Sequence, residues 1–439
     1  MNVIVLLGLA VVGVLMIMLL DYLIRRPVAA LWVVLTLLVL EALVSDAQLL
    51  SLEAAGFRVA LSDVGYVLIG GAAVFRFMRL DRSSTAQRAL LLFGAAVVIS
   101  LVTGVASGPI ERAINESRAY LGFVTAALYF STTRMDLETR VGMRRAWMGA
   151  GIGLGAIVAI RWLARLTGLN LGIFDATDPS SGFDATIRVL NGPDALALTT
   201  CALILLLPGI EGRTRLYPRE RSIGIILLIM SIALNRRTLW VALGVVFVVL
   251  VVRNRKLGLR IAAVAFAGLT LVVVALPLFN LEPQPAETVA QPIDNADTLI
   301  WRFDGWMALL SSGPDTPDEV VLGLPFGTGY SRYIGGVEIE AGPHNFYLQT
   351  YLRTGLLGVM AFASAIALGF AGLATTRADE DHPLAARHLT LLLIVFVIWM
   401  LAWVPLSDQG VVLGLAIATA AYRDRSPTQV RGHLPSPSV

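Results

Sequence analysis

Apolar runs recur along nearly the whole chain, at roughly 3–22, 28–44, 61–75, 89–107, 119–133, 146–163, 194–210, 222–235, 238–252, 261–279, 355–375, 389–405 and 410–422. Each approaches the roughly 20 residues that carry a helix across a bilayer. Lipid offers the backbone no hydrogen-bond partner, so a chain built this way must satisfy its peptide groups within helices. The expected fold is therefore all-α: a polytopic integral membrane protein with about twelve or thirteen spans. Composition points the same way, because 56% hydrophobic and 15% charged residues with a mean hydropathy of +0.75 exceed what a water-soluble domain carries. The first run has no basic stretch before it and is followed by Asp21 and Arg25-Arg26-Pro27, which predicts a retained span and not a cleaved leader.

Arginine sets the orientation. Lys256 is the sole lysine among 34 basic residues, and the arginines cluster in four loops: Arg76 to Arg88, Arg134 to Arg145, Arg213 to Arg221, and Arg253 to Arg260. The positive-inside rule makes these loops cytoplasmic, together with a tail at 423–439. The division that follows is an N-terminal bundle at 1–279, a long outward segment at 280–354, C-terminal helices at 355–422 and the tail.

The outward segment begins with the Pro-rich linker LEPQPAETVAQP and continues into DTLIWRFDGWMALLSS, where Leu299, Phe303, Trp306 and Leu310 fall at helical spacing. This predicts either a helix along the membrane surface, with Trp301 and Trp306 at headgroup depth, or an amphipathic helix covering a small extracytoplasmic subdomain. Gly323, Gly327 and Gly329 in LGLPFGTGYSRY read as tight turns, with a phosphate-cradling loop as a weaker alternative. In GPHNFYLQTYLRTGLLG, Pro343 favours a helix start, which puts His344 and Asn345 in its first turn. The positive end of the helix would keep His344 neutral and able to accept a proton, and Tyr347 and Tyr351 would share its face, each first as an interfacial belt residue and otherwise as part of a polar mouth. His382, His388 and His433 read as surface residues of cytoplasmic loops.

Two further outward elements carry arginine where it is costly. Arg188 precedes an Asn-Gly turn, with Pro193 and Asp194 opening the next helix, and Arg236 and Arg237 occupy a turn too short to leave the membrane region. A guanidinium fork suits phosphate, and Arg302 lies on the same side. No Walker A pattern, His-rich metal box or Gly-x-Ser-x-Gly elbow is present, and the single cysteine, Cys201, excludes a disulfide framework.

These residues resemble the bacterial O-antigen ligase and polymerase family. HNFYLQTYLRTGLLG is similar to its His-Asn-x-Tyr-Leu element, RVLNGPD to its Arg … Gly-x-x-Pro-Asn element, RRTLWVAL to its Ser-Arg-Gly turn, LSDVGYVLIGG to its early Ser-Asp span, and WRFDGWMALL … GLPFGTGY to its loop entry. Asp194 stands where that family has asparagine, Arg236-Arg237-Thr238 where it has Ser-Arg-Gly, and Arg353 where it often has glutamate. The resemblance implies a GT-C-like membrane glycosyltransferase of the bacterial inner membrane with its active site facing the periplasm. Its donor would be a glycan on undecaprenyl diphosphate, and its acceptor lipid A–core or a growing polysaccharide. His344 would act on the acceptor hydroxyl. Arg188 and Arg237, then Arg236 and Arg302, would hold the diphosphate, with Asn345, Tyr347, Tyr351 and Asp194 in support. Neither a metal nor a cofactor is expected, and membrane lipids but no nucleic acid are the further partners. Ligase-type transfer is the first expectation and repeat-unit polymerisation the alternative. A transporter or flippase is the rival from another class, which would show two related halves and broken helices.

Overall fold

The computed structural model describes residues 3–44, 51–54, 57–80, 82–175, 188–207, 217–234, 236–253, 296–334, 337–375 and 383–423. The run at 261–279, the Pro-rich linker, the arginines from 213 to 215 and from 255 to 260, the tail, His382 and His433 lie outside these residues. Every other apolar run coincides with a helix. In chain order these are α1 (Val3–Arg25), α2 (Pro27–Leu43), α3 (Leu61–Met78), α4 (Thr85–Ser107), α5 (Ile110–Ser131), α6 (Leu137–Thr167), α7 (Gly192–Leu206), α8 (Pro218–Ala233) and α9 (Arg237–Arg253). Next come α10 (Ala296–Ser311) and the short α11 (Pro317–Leu322), then α12 (Phe346–Thr375), α13 (Pro383–Trp399) and α14 (Ser407–Arg423). The chain is not wholly α-helical: β1 (Ser51–Ala54) pairs antiparallel with β2 (Phe57–Ala60), and β3 (Ser331–Ile334) with β4 (Val337–Glu340).

Four helices, α3, α4, α6 and α12, are long and apolar enough to cross a membrane. A fifth span arises if α1 and α2, bent by 115° at Arg26-Pro27, count as one. Proline has no N–H to continue α1, which explains the break. Of the expected twelve or thirteen spans, several of them short, four or five reach spanning length among the described residues. Four shorter apolar helices lie within α7, α9, α13 and α14, and residues so far below spanning length must be shielded by neighbouring protein. α7 shows this directly, since all its residues except Pro193 are buried.

Local sequence sets the helix ends. Asp136 caps α6 by accepting the Thr139 N–H (2.8 Å), and Gly168 ends it at a φ of 71°, a left-handed conformation that glycine adopts without steric cost. Between apolar helices in lipid the hydrophobic effect gives no preference, so close approach through small residues decides packing. Gly410 and Gly414 set α14 directly against the Phe123 and Ala127 carbonyls of α5, where any side chain would collide with backbone. Around them Phe93, Tyr120, Phe123, Phe346 and Phe362 form one aromatic cluster, with ring centroids 5.0 to 6.2 Å apart.

α12 is two helices in one. Gly355 sits at φ 61°, ψ −164°, a region essentially closed to other residues, and the axis breaks there. The segment at 323–329 fills the break. Leu324 N–H donates to the Leu352 carbonyl (2.7 Å), and the backbones of Gly323 and Gly355 meet without room for a Cβ on either. Phe326 N–H bonds to Ser100 O (3.3 Å), and Gly327 N–H to Glu116 Oε2 (2.7 Å). Gly323, Gly327 and Gly329 all have positive φ, as turns require. Several of the loop's N–H groups face protein acceptors, so it is an anchor and not a phosphate cradle. Arg353, fully buried, completes that anchor by pairing with Glu116, donating to Gly329 O (2.6 Å) and lying 4.2 Å from the Tyr330 ring centre.

Candidate functional site

Helix direction alternates, so α3, α5, α7, α9, α12 and α14 start at one end of the bundle, where α2, α6, α8 and α13 finish. At this end lies every expected site residue that is described.

His344 precedes α12 instead of opening it. Asn345 is the cap: its Oδ1 accepts the Leu348 N–H (3.1 Å), while Phe346 N–H donates to Met400 O (2.9 Å). Proline at 343 therefore lies two positions before the cap, one turn earlier than the sequence suggested, and His344 is left in the connecting turn at φ 49°. It is the one non-glycine residue with positive φ among the described residues, a conformation that costs on the order of 1–2 kcal/mol. Its ring stands edge-on to Trp403, with centroids 5.8 Å apart. Partial burial, then the charges of Arg302 and Arg332, push its pKa below the ordinary imidazole value. The shift is in the direction expected, but its causes are desolvation and two cations instead of the helix end.

Tyr347 and Tyr351 do not form a polar mouth with it. Tyr347 donates its hydroxyl to Val397 O (2.9 Å), and Tyr351 packs on the apolar group of Leu309, Leu348 and Leu352. Trp306 likewise turns inward, its indole N–H donating to Pro343 O (2.7 Å). Ile300, Trp301, Phe303, Met307 and Leu310 remain the exposed apolar residues of α10.

The second element is the stretch from Arg188 to Asp194. Arg161 holds its start, donating to Val189 O (2.8 Å), Phe174 O (2.8 Å) and the last carbonyls of α2 at Ala42 (2.8 Å) and Leu43 (3.1 Å). Arg236 donates to the next carbonyl, Leu190 O. Two guanidinium groups thus grip consecutive peptides and fix where Arg188 and Asp194 stand. Asp194 is buried in the first turn of α7, within the electrostatic reach of Arg161, Arg236, Glu41 and Asp408. Gly192 lies flat on the Trp403 ring, the same ring that His344 meets, so one tryptophan joins the two elements. Arg237 is the first residue of α9, where the helix dipole and the guanidinium both favour an anion.

Sequence reasoning missed Arg161 and Arg332. Arg332 on β3 donates to Tyr330 O (3.1 Å) and Ala341 O (2.6 Å) and adds to the field on His344. Its presence in a segment poor in arginine was the available signal. Among the described residues no group of three His, Cys, Asp or Glu could hold a metal ion. At the opposite end, His388 is buried within reach of Arg144 and is not the surface residue expected.

The four to five spanning-length apolar helices mark a multi-pass helical membrane protein, and the histidine and arginines form a candidate site at one end of its bundle. Comparison with family models and with curated proteins finds no match.

Proposed function

We propose that this protein is a membrane glycosyltransferase that moves a glycan from undecaprenyl diphosphate to an acceptor hydroxyl at the periplasmic face, with ligase-type transfer to lipid A–core first and repeat-unit polymerisation as its alternative. The observation that carries the reading is the neutral His344, held in a strained turn beside Arg302 and Arg332 and joined through Trp403 to the element bearing Arg188 and Asp194. In the step, the acceptor oxygen attacks the anomeric carbon and His344 takes its proton. The bond to the diphosphate breaks, and the diphosphate leaves with the electron pair. Arg188 and Arg237 oppose the charge that grows on it, with Arg302 beside them; Arg236 chiefly positions the Leu190 peptide. The breaks at Gly355 and between α1 and α2 are features that favour a transporter, but at Gly355 the Leu352 carbonyl accepts from Leu324 of the packed loop.

Single-turnover transfer and donor-binding assays on folded variants test this. His344→Ala is expected to abolish turnover while leaving donor binding intact. Arg237→Ala is expected to weaken donor binding and lower the rate by roughly 30- to 1,000-fold, about 2–4 kcal/mol, with Arg237→Lys restoring part of it. Near-normal turnover in His344→Ala would remove the histidine from the mechanism.

A further inference from the structure

At the same end of the bundle a groove of about 930 Å³ runs between the start of α5 and the β3–β4 hairpin, lined by Glu111, Arg112, Asn115, Tyr330 and Glu340 and floored by Glu116. None of these residues belongs to the histidine and arginine site. We propose that this groove binds the sugar chain of the acceptor, a neutral or amino-bearing oligosaccharide, and delivers its terminal hydroxyl to His344; the proposal rests on the transferase reading above.

Position comes first. Gly342 lines the groove and His344 follows two residues later, which limits the separation of their backbones to about 7 Å. The groove and the turn that carries the imidazole are therefore neighbours along the chain. The volume falls within the roughly 300–1,000 Å³ usual for small-molecule sites.

Charge comes second. With Glu340 paired to Arg112 and Glu116 to Arg353, Glu111 leaves the groove with one acid in excess, whereas the field at His344 comes from Arg302 and Arg332. A diphosphate is repelled by the first and attracted by the second, so the two substrates are sorted before either binds.

The chemistry of the lining is the third argument. Arg112 and Glu340 pair at 2.5 Å, and Asn115 accepts from Arg118 (2.6 Å), which leaves the Asn115 amide N–H₂ to donate. Carboxylate, guanidinium and amide are the planar groups that bind adjacent sugar hydroxyls two at a time. Tyr330 lines the groove as a fixed wall, held by Arg353 over its ring and by the apolar group of Leu309, Leu348 and Leu352. The floor is fixed as well, because Glu116 accepts from Gly327 N–H and pairs with Arg353, so little ordering cost remains for binding.

The full-length purified protein in nanodiscs is titrated with maltopentaose, a chitosan pentamer and a sulfated heparin pentasaccharide. The first two are expected to bind, and Asn115→Trp, at an exposed position of α5, to weaken both by at least about tenfold. Glu340→Lys is a second variant, expected to weaken the neutral and amino probes and strengthen the sulfated one. Tightest binding of the sulfated probe, affinities unchanged in both variants, or no binding of any probe overturns the proposal. Oligosaccharide binding by a protein that shows no transfer refutes the transferase reading and leaves the groove standing. Transfer with an unchanged acceptor KM in Asn115→Trp refutes the groove and leaves the transferase.

Discussion

A base that works at neutral pH must be uncharged there, and for His344 that condition is set by its neighbours. Its lowered pKa keeps the proton-accepting form present above that pKa and loses it as pH falls through it. The acid limb of the transfer rate should therefore lie below 6.5, the ordinary imidazole value. Arg302→Gln removes one repelling cation, so the limb should shift upward toward 6.5 in a pH–rate profile; an unmoved limb would separate Arg302 from the histidine. The candidate residues stand out in the sequence as outward arginines and a histidine expected in the first turn of a helix, and the structure places that histidine in the turn before α12. Arg161 and Arg332 do not, because their partners are carbonyls that no residue pattern marks: Ala42, Phe174 and Val189 from other stretches of the chain for Arg161, and Tyr330 and Ala341 flanking its own hairpin for Arg332. Residue type announces a cation, but only tertiary structure says whether it faces a ligand or a peptide.

Among the elements, α12 tests how far periodicity reaches. The apolar run from 355 onward marked a span, and the span is there, yet nothing in Thr-Gly-Leu-Leu-Gly indicates that the helix breaks at its first glycine. The break is imposed by the loop at 323–329 packing into it, a contact no local pattern encodes. Gly355→Ala is accordingly expected to destabilise the protein by about 1–3 kcal/mol, through both the forbidden φ and the collision with Val321. Gly244→Ala, in α9 with open space around it, should be neutral or stabilising by up to about 1 kcal/mol. Thermal unfolding of the two variants side by side is the measurement, and equal losses would contradict this account of the break. The short helices tell a related story: hydropathy located α7 and α14, but their depth inside the bundle depends on glycine contacts such as Gly410 on Phe123.

For the molecule as a whole, the two ends differ in how their arginines are held. At the His344 end Arg112, Arg118 and Arg165 pair with Glu340, Asp63 and Asp175. At the other end Arg25 and Arg144 pair with Asp21 and Glu220, but Arg79, Arg88, Arg134, Arg145, Arg219 and Arg221 also stand exposed. Excess cationic charge at that end predicts that it faces the cytoplasm. In a variant lacking Cys201, a cysteine at exposed Asp318 should react with an impermeant reagent in intact cells, and one at Arg79 only after the inner face is opened. The reverse pattern would invert the orientation and with it the proposed access of both substrates.

The break at Gly355 also bears on how the chain enters the membrane. A membrane-insertion machine judges segments by hydrophobicity over about twenty residues, and the stretch at 356–375 meets that measure by itself. Residues 346–354, with Gln349 and Arg353 among them, need not be threaded into lipid with it. During synthesis the span can settle first and leave His344 a short helix away from the bilayer, fixing the height of the histidine above the membrane before the loop at 323–329 has docked.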